Sequence, residues 1–391
     1  MCMKKEIENH LLNDLIPFWK KLKDEEFGGF YGYVDFGGAM EKTYEKGCIL
    51  NSRIIWFFSN AYLALEDPSL LDYARHGYEF LKNHFYDREF GGVYWSLNYD
   101  GTVKDSMKHT YNQVFAIYGL SSYYLASGDK EALSLAFGVF NTVESKCKDE
   151  YGYMEAFTRE FKVINNDALS ENGVMAEKTM NTLLHVAEGY TELYRASGDS
   201  SVKSKLEEIL RIIADKIYNR EKKHQEVFFD KAYNSLIDLY SYGHDIETSW
   251  LIDKTVKVLD EGEYKELIYP ITEEMCHQVY ITAFDGHSLA NECDKGYIDE
   301  NRIWWVQAET VLGFLNQYEK TGIPDYLIAA KKVWMFIKAH IIDTRPEGTG
   351  EWFYCVNKSG NVEKPLPIAE PWKCPYHNGR MCFEVMKKDY L

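Results

Sequence analysis

Apolar residues recur at three-to-four spacing over residues 49–65, 112–126, 179–196, 246–259 and 303–318, the pattern of amphipathic helices. Each stretch ends in a tight turn: Glu66-Asp67-Pro68, Ser127-Gly128-Asp129, Ser197-Gly198-Asp199, Asp260-Glu261-Gly262 and Thr321-Gly322-Ile323-Pro324-Asp325. Glycine suits the residue just past a helix, and Asp or Ser caps the next one. A second amphipathic stretch follows the turns, as at 70–85, 131–147, 202–218 and 326–341. Helices at 7–22 and near 378–386 open and close the set.

A Gly/aromatic segment alternates with those turns and reads as a short strand or turn. It appears as Gly28-Gly29-Phe30-Tyr31, Gly91-Gly92-Val93-Tyr94-Trp95 and Tyr151-Gly152-Tyr153, with weaker copies at Val227-Phe228-Phe229, Phe284-Asp285-Gly286 and Gly350-Glu351-Trp352-Phe353. Successive copies lie roughly sixty to seventy-five residues apart, a repeat period. The pattern predicts an all-α fold of twelve helices in six pairs joined by short strand-like loops, an (α/α)6 barrel forming a single domain over 1–391. An open helical solenoid is the alternative, disfavoured by the closing helix.

Charge narrows the partners. The chain carries 44 Lys+Arg against 61 Asp+Glu, net −17, which argues against nucleic acid and anionic membranes as partners. The most apolar stretch, 54–65, contains Ser59 and Asn60 and falls short of the ~20 residues that span a bilayer. No secretory signal is readable at the N-terminus, and the eight cysteines form no CxxC pair. A cytoplasmic protein with reduced thiols and no structural zinc is expected. Aromatic residues make up 15% of the chain, suited either to gripping sugar faces or to filling a large core.

Polar residues cluster in the first turns of the helices that precede the acidic turns. They are Asn51 and Arg53; His109, Tyr111 and Asn112; Lys178, Asn181 and His185; His244, Glu247 and Trp250; Trp304, Trp305 and Glu309; and, before the last helix, Trp372 and His377. In a barrel these inner helices run parallel, so the set gathers at one mouth with the positive helix ends. His244, Glu247 and Trp250 share one helix face, as do Asn181 and His185; each set fits either a site or an ordinary packed or surface grouping. Arg53 either pairs with an acid or faces the cavity. Trp304 and Trp305 diverge by ~100° around a helix, so one ring is expected in the core.

There is no G-x-G-x-x-G, no phosphate loop and no H-E-x-x-H. Tryptophan and arginine neighbours make a poor ligand shell, so no metal is expected. Three histidines, two carboxylates and an arginine suit acid–base work on a sugar. Two imidazoles on opposite faces of a carbon alpha to a carbonyl would remove and return a proton, and Arg53 would stabilise the enediolate oxygen.

Several segments carry a resemblance: Asn51-Ser52-Arg53-Ile54, Lys178-Thr179-Met180-Asn181, Ser241-Tyr242-Gly243-His244-Asp245-Ile246-Glu247, Trp304-Trp305-Val306-Gln307-Ala308-Glu309 and Trp372-Lys373-Cys374-Pro375-Tyr376-His377-Asn378-Gly379-Arg380. In these the chain resembles the N-acylglucosamine 2-epimerase superfamily, and within it the cellobiose 2-epimerases. The resemblance implies an (α/α)6 barrel and cofactor-independent epimerisation at C2 of the reducing-end glucose of β-1,4-linked disaccharides, including lactose to epilactose. It implies that His244 and His377 are the acid/base pair. It also implies that Arg53, Tyr111, Asn181, His185, Glu247, Trp304, Glu309 and Trp372 contact or support substrate, with Trp250 and Trp305 as further members. His287 departs from the pattern and receives no role. Competing readings are an aldose–ketose isomerase, an N-acylglucosamine or mannose 2-epimerase, and an inverting glycosidase using Glu247 and Glu309, which needs carboxylates about 6.5–9.5 Å apart. A monomer acting on a small disaccharide is expected.

Overall fold

The computed structural model describes residues 2–391, and its helices number twelve among them. In chain order they are α1 (residues 3–21), α2 (Cys48–Leu65), α3 (68–85), α4 (Thr110–Ser127), α5 (Lys130–Lys146), α6 (Met180–Ser197), α7 (200–217), α8 (Tyr242–Leu259), α9 (Gly262–Thr282), α10 (Trp304–Thr321), α11 (324–341) and α12 (His377–Met386). The even-numbered helices form a closed inner ring. Each packs on the next, and α12 closes it by packing on both α10 and α2. That closure excludes the open solenoid. The odd-numbered helices form the outer layer, and the inner ones are buried over most of their length, as expected of helices walled in on every side.

The acidic turns are caps. Asp67, Asp129 and Asp199 each accept a hydrogen bond from the N–H two residues on, at 2.9, 2.9 and 2.8 Å. Gly128, Gly198 and Gly322 end their helices at φ 73°, 65° and 70°, where a side chain is disfavoured. The outer helices α3, α7 and α11 finish in a π turn, at Leu81–Phe85, Ile213–Ile217 and Ile337–Ile341. Two boundaries differ from the sequence pattern. Helix α8 begins at Tyr242, one turn before residue 246, so His244 lies within its first turn. Residues Glu292–Asp294 and Tyr297–Asp299 form a hairpin not evident in the repeat.

A sixfold device positions the mouth. After each outer helix an Asp or Asn side chain (Asp24, Asp87, Asp149, Asn219, Asp285, Asp343) accepts the backbone N–H two residues on. In four repeats the same aspartate meets a buried base placed two residues before the next inner helix: Lys46 at 2.6 Å, Lys108 at 3.1 Å, Lys178 at 3.0 Å and Arg302 at 2.6 Å. The fourth residue of four inner helices (Asn51, Gln113, Asp245, Gln307) accepts a backbone N–H of the preceding loop, from Phe30, Val93, Gln225 and Leu289. Five of the six inner-helix N-termini are thereby fixed to the loop that precedes them.

Candidate active site

The inner-helix N-termini surround a cavity of ≈ 380 Å³. Its reactive side is built on α8, α10 and α12. His244, in the first turn of α8, has its Nδ1 2.7 Å from the Ser241 hydroxyl at the helix start. His377, the first residue of α12, has its Nδ1 2.7 Å from Glu309 Oε1 on α10. With both Nδ1 atoms held, Nε2 is the atom each imidazole has left for a ligand. The Trp305 ring lies against both imidazoles, with centroids at 4.8 Å from His244 and 5.5 Å from His377. Burial, with His185 nearby, pushes His244 down to about 3. Burial and the Arg380 charge hold His377 well below 6.5. Both imidazoles are therefore neutral at pH 7 and able to accept a proton.

Arg53 of α2 lines the same cavity. Its Nη2 donates to the Tyr111 hydroxyl at 2.8 Å, and Nη1 reaches the Trp372 carbonyl at 3.4 Å and Cys374 Sγ at 3.7 Å. The guanidinium lies 4.0 Å over the Phe115 ring and 4.4 Å over Tyr376. Among the described residues no carboxylate pairs with it, and its buried Nε makes no hydrogen bond. Burial works against the charge, but Tyr111 and Cys374 offset it, and the group stays protonated. Of the two roles open to Arg53, the structure selects the cavity. An unpaired buried cation is costly and is suited to an anion that forms during reaction.

Beneath the histidines lies an ionic layer. Arg380 Nη2 donates to Glu309 Oε1 at 2.7 Å and to Glu247 Oε1, and its Nη1 donates to Glu188 Oε1 at 2.6 Å. Glu188 Oε2 faces His185 Nδ1 at 3.0 Å and accepts from the Tyr376 hydroxyl. Trp250 Nε1 donates to Glu309 Oε2 at 2.9 Å. Burial and then the neighbouring Glu309 push Glu247 up to about 7. Ligand atoms of Glu247, Glu309 and His377 lie within 4.8 Å of one another, a grouping of a kind that holds metals. Here the guanidinium of Arg380 bridges the two carboxylates.

Ten of the twelve sequence-selected residues line the cavity: Arg53, Tyr111, Asn181, His185, His244, Glu247, Trp304, Trp305, Trp372 and His377. Glu309 and Trp250 lie one layer below, holding His377. As expected of neighbouring helical residues, one ring is core: Trp304 is buried in the hydrophobic core while Trp305 is half-buried, although both also border the cavity. They occupy the first turn of α10, where the cavity wraps the helix end, and Trp304 leans on Tyr354 at 4.5 Å while Trp305 meets the histidines. His109, Asn112 and Lys178 do not line it: they bond Asn166, the Tyr94 carbonyl and Asp149. His287 is on an exposed loop. The ligand atoms of Glu247 and Glu309 lie within 4.8 Å, closer than an inverting pair requires, and Glu309 does not face the cavity. Sequence reasoning missed Glu188, Ser241, Tyr376 and Arg380. Glu188 at i+3 from His185 and Ser241 at i−3 from His244 carried a usable spacing signal. It also missed the lining from the 168–171 and 291–292 loops.

Comparison with known proteins agrees with this architecture. The N-acylglucosamine 2-epimerase (GlcNAc 2-epimerase) family profile matches residues 29–378. A cellobiose 2-epimerase of Ruminococcus albus is 49% identical over 99% of both chains. A crystal structure of a sugar epimerase from a ruminal bacterium superposes with TM-score 0.97 at 48% identity, covering 99% of each chain. That of cellobiose 2-epimerase from Bacillus thermoamylovorans B4167 gives 0.93 at 39%, covering 98% of each. Matched along nearly its whole length, in sequence and in barrel alike, the chain belongs to the N-acylglucosamine 2-epimerase family.

Proposed function

We propose that this protein epimerises C2 of the reducing-end glucose of cellobiose and related β-1,4-linked disaccharides, giving 4-O-glucosyl-mannose from cellobiose and epilactose from lactose. The observation that carries the reading is the pair of neutral imidazoles on one aromatic cavity, which they share with a buried arginine that has no carboxylate partner. The pyranose opens with proton transfer to and from an imidazole. One of His244 and His377 takes the C2 proton of the open-chain aldehyde through Nε2. The electron pair moves onto the carbonyl oxygen, and Arg53 carries the charge of the resulting cis-enediolate. Rotation about the C2–C3 bond presents the other face. The second histidine takes a proton from water and delivers it to C2, the first returns the abstracted proton to water, and the aldehyde re-forms. His377 is neutral at rest, and Glu309 at Nδ1 is placed to stabilise its imidazolium once it gains a proton, whereas His244 has only the Ser241 hydroxyl there.

Side chains supply both proton transfers and charge stabilisation, so the reading asks for neither cofactor nor metal. The eight cysteines are free thiols, which supports a cytoplasmic enzyme, and the reading takes it to act as a monomer. Proton NMR of cellobiose in D₂O with added EDTA tests this. Deuterium at C2 together with 4-O-glucosyl-mannose is expected. A ketose product would instead make the enzyme an aldose–ketose isomerase, and free glucose without C2 exchange would overturn the reading.

A further inference from the structure

Arg380 is the fourth residue of α12. In four other inner helices that position bonds outward to the preceding loop. In α12 the loop is held by Asn378, whose Nδ2 donates to Glu351 Oε1 at 2.5 Å, and this leaves Arg380 to turn toward the ring axis. There it is 1% exposed and meets three inner helices at once. Nη1 serves Glu188 on α6 and the Tyr376 hydroxyl; Nη2 serves Glu247 on α8 and Glu309 on α10. The guanidinium plane is held 4.2 Å over the Tyr376 ring and 4.9 Å from Trp250. Each carboxylate leads to the cavity: Glu309 to His377 Nδ1, Glu188 to His185 Nδ1, and Glu247 by lining the cavity itself.

We infer that Arg380 is a positioning residue for the proton transfers: its planar fork fixes Glu309, and through it the ring of His377, while tying the His185 side of the cavity to the same point. The inference rests on the proposed epimerase reading and deepens it. Only a fork can do this, because Nη1 and Nη2 point at different helices; a lysine ammonium is one charge at one place. Three carboxylates share this one cation, so removing it leaves buried negative charge that is relieved by taking up protons. The titratable and charged groups around it are Glu188 and His185 from α6, Glu247 from α8, Glu309 from α10, Tyr118 from α4, Arg53 from α2, and Tyr376 and His377 at the start of α12.

The test uses the full-length wild type, Arg380→Lys, Arg380→Met and Tyr376→Phe. Each is assayed for C2 epimer formation from cellobiose over a range of pH. Arg380→Lys should lower kcat about 100-fold with KM little changed, because the charge stays and the alignment goes. Its acid limb of kcat/KM should stay near that of the wild type. Arg380→Met should lose as much and move that limb to higher pH, as Glu309 and Glu247 take up protons sooner. Tyr376→Phe, the mildest change, should cost about tenfold in kcat by removing one partner of Nη1. Wild-type kcat in Arg380→Lys and Tyr376→Phe overturns the inference, even where Arg380→Met does not fold. An unmoved acid limb in folded Arg380→Met overturns its electrostatic part. A wild type that makes no C2 epimer defeats the proposed function instead, which keeps the two failures apart.

Discussion

Arg53 shows how one side chain can be read at the level of free energy. It is buried without a carboxylate partner, so its charge is stabilised by aromatic faces, the Tyr111 hydroxyl and a thiol rather than by an ion pair. On the proposed reading, its partner is the enediolate anion that exists only during reaction. Arg53→Met should lower kcat by about 10²–10³ with a smaller effect on KM, measured by steady-state epimerisation. Asp245 tests a different link. Buried, and accepting the Gln225 N–H at 2.9 Å, its carboxyl is pushed up to about 7 from 3.8. The folded state keeps this proton where the unfolded chain has released it. The contribution of Asp245 to stability is thus full below about pH 4 and is lost as pH rises toward 7. Relative to Asp245→Asn, the wild type should lose on the order of 2 kcal/mol between pH 5 and pH 8, measured by denaturant unfolding. At this scale the sequence was informative where a cavity-lining group sits at a helix start, as with His244 and His377. It was silent on Arg380, because the role of that side chain depends on three carboxylates 71 to 192 positions away in the chain.

At the level of elements, the inner ring is held together by close approaches of helix backbones. A Cβ on Gly119 of α4 would lie 2.6 Å from the Ser52 carbonyl oxygen of α2, and one on Gly189 of α6 would lie 2.8 Å from the Val114 oxygen of α4. Backbone cannot swing aside as a side chain does. Gly119→Ala should therefore destabilise the protein by about 1–3 kcal/mol, read as a lowered unfolding midpoint, with activity per folded molecule retained. The helices themselves were legible because their signals are local: three-to-four spacing, an aspartate cap two residues from its N–H, a glycine at positive φ. The Asp24–Lys46 type of clamp was not, since it joins residues about twenty positions apart. The hairpin at 292–299 is local, pairing residues at most seven apart around Gly296, but it lies outside the repeat and so outside the pattern. The divergence of neighbouring side chains held at Trp304 and Trp305, one ring buried against Tyr354 and the other set against the histidines, and both still border the cavity because the site is built at helix ends.

For the whole molecule, counting helix pairs gave the number of repeats, but closure depends on the last helix meeting the first inner one. That contact is made: α12 packs on α2 and also on α1, and Lys4 and Asp389 form an ion pair at 3.2 Å. The two ends of the polypeptide are neighbours in space. A ring whose ends touch has no intrinsic beginning, so the order in which its repeats are joined is a matter of where the chain is cut. The turns at 66–67 and 128–129 lie at the ends of the barrel helices away from the mouth, where a break removes no cavity-lining group. Joining the two ends of this 391-residue chain by a short flexible linker and reopening it at Gly128 should give a circular permutant with the same helical circular dichroism and epimerase rate within a few-fold. A permutant that folds but is inactive would mean that the mouth depends on the original path of the chain.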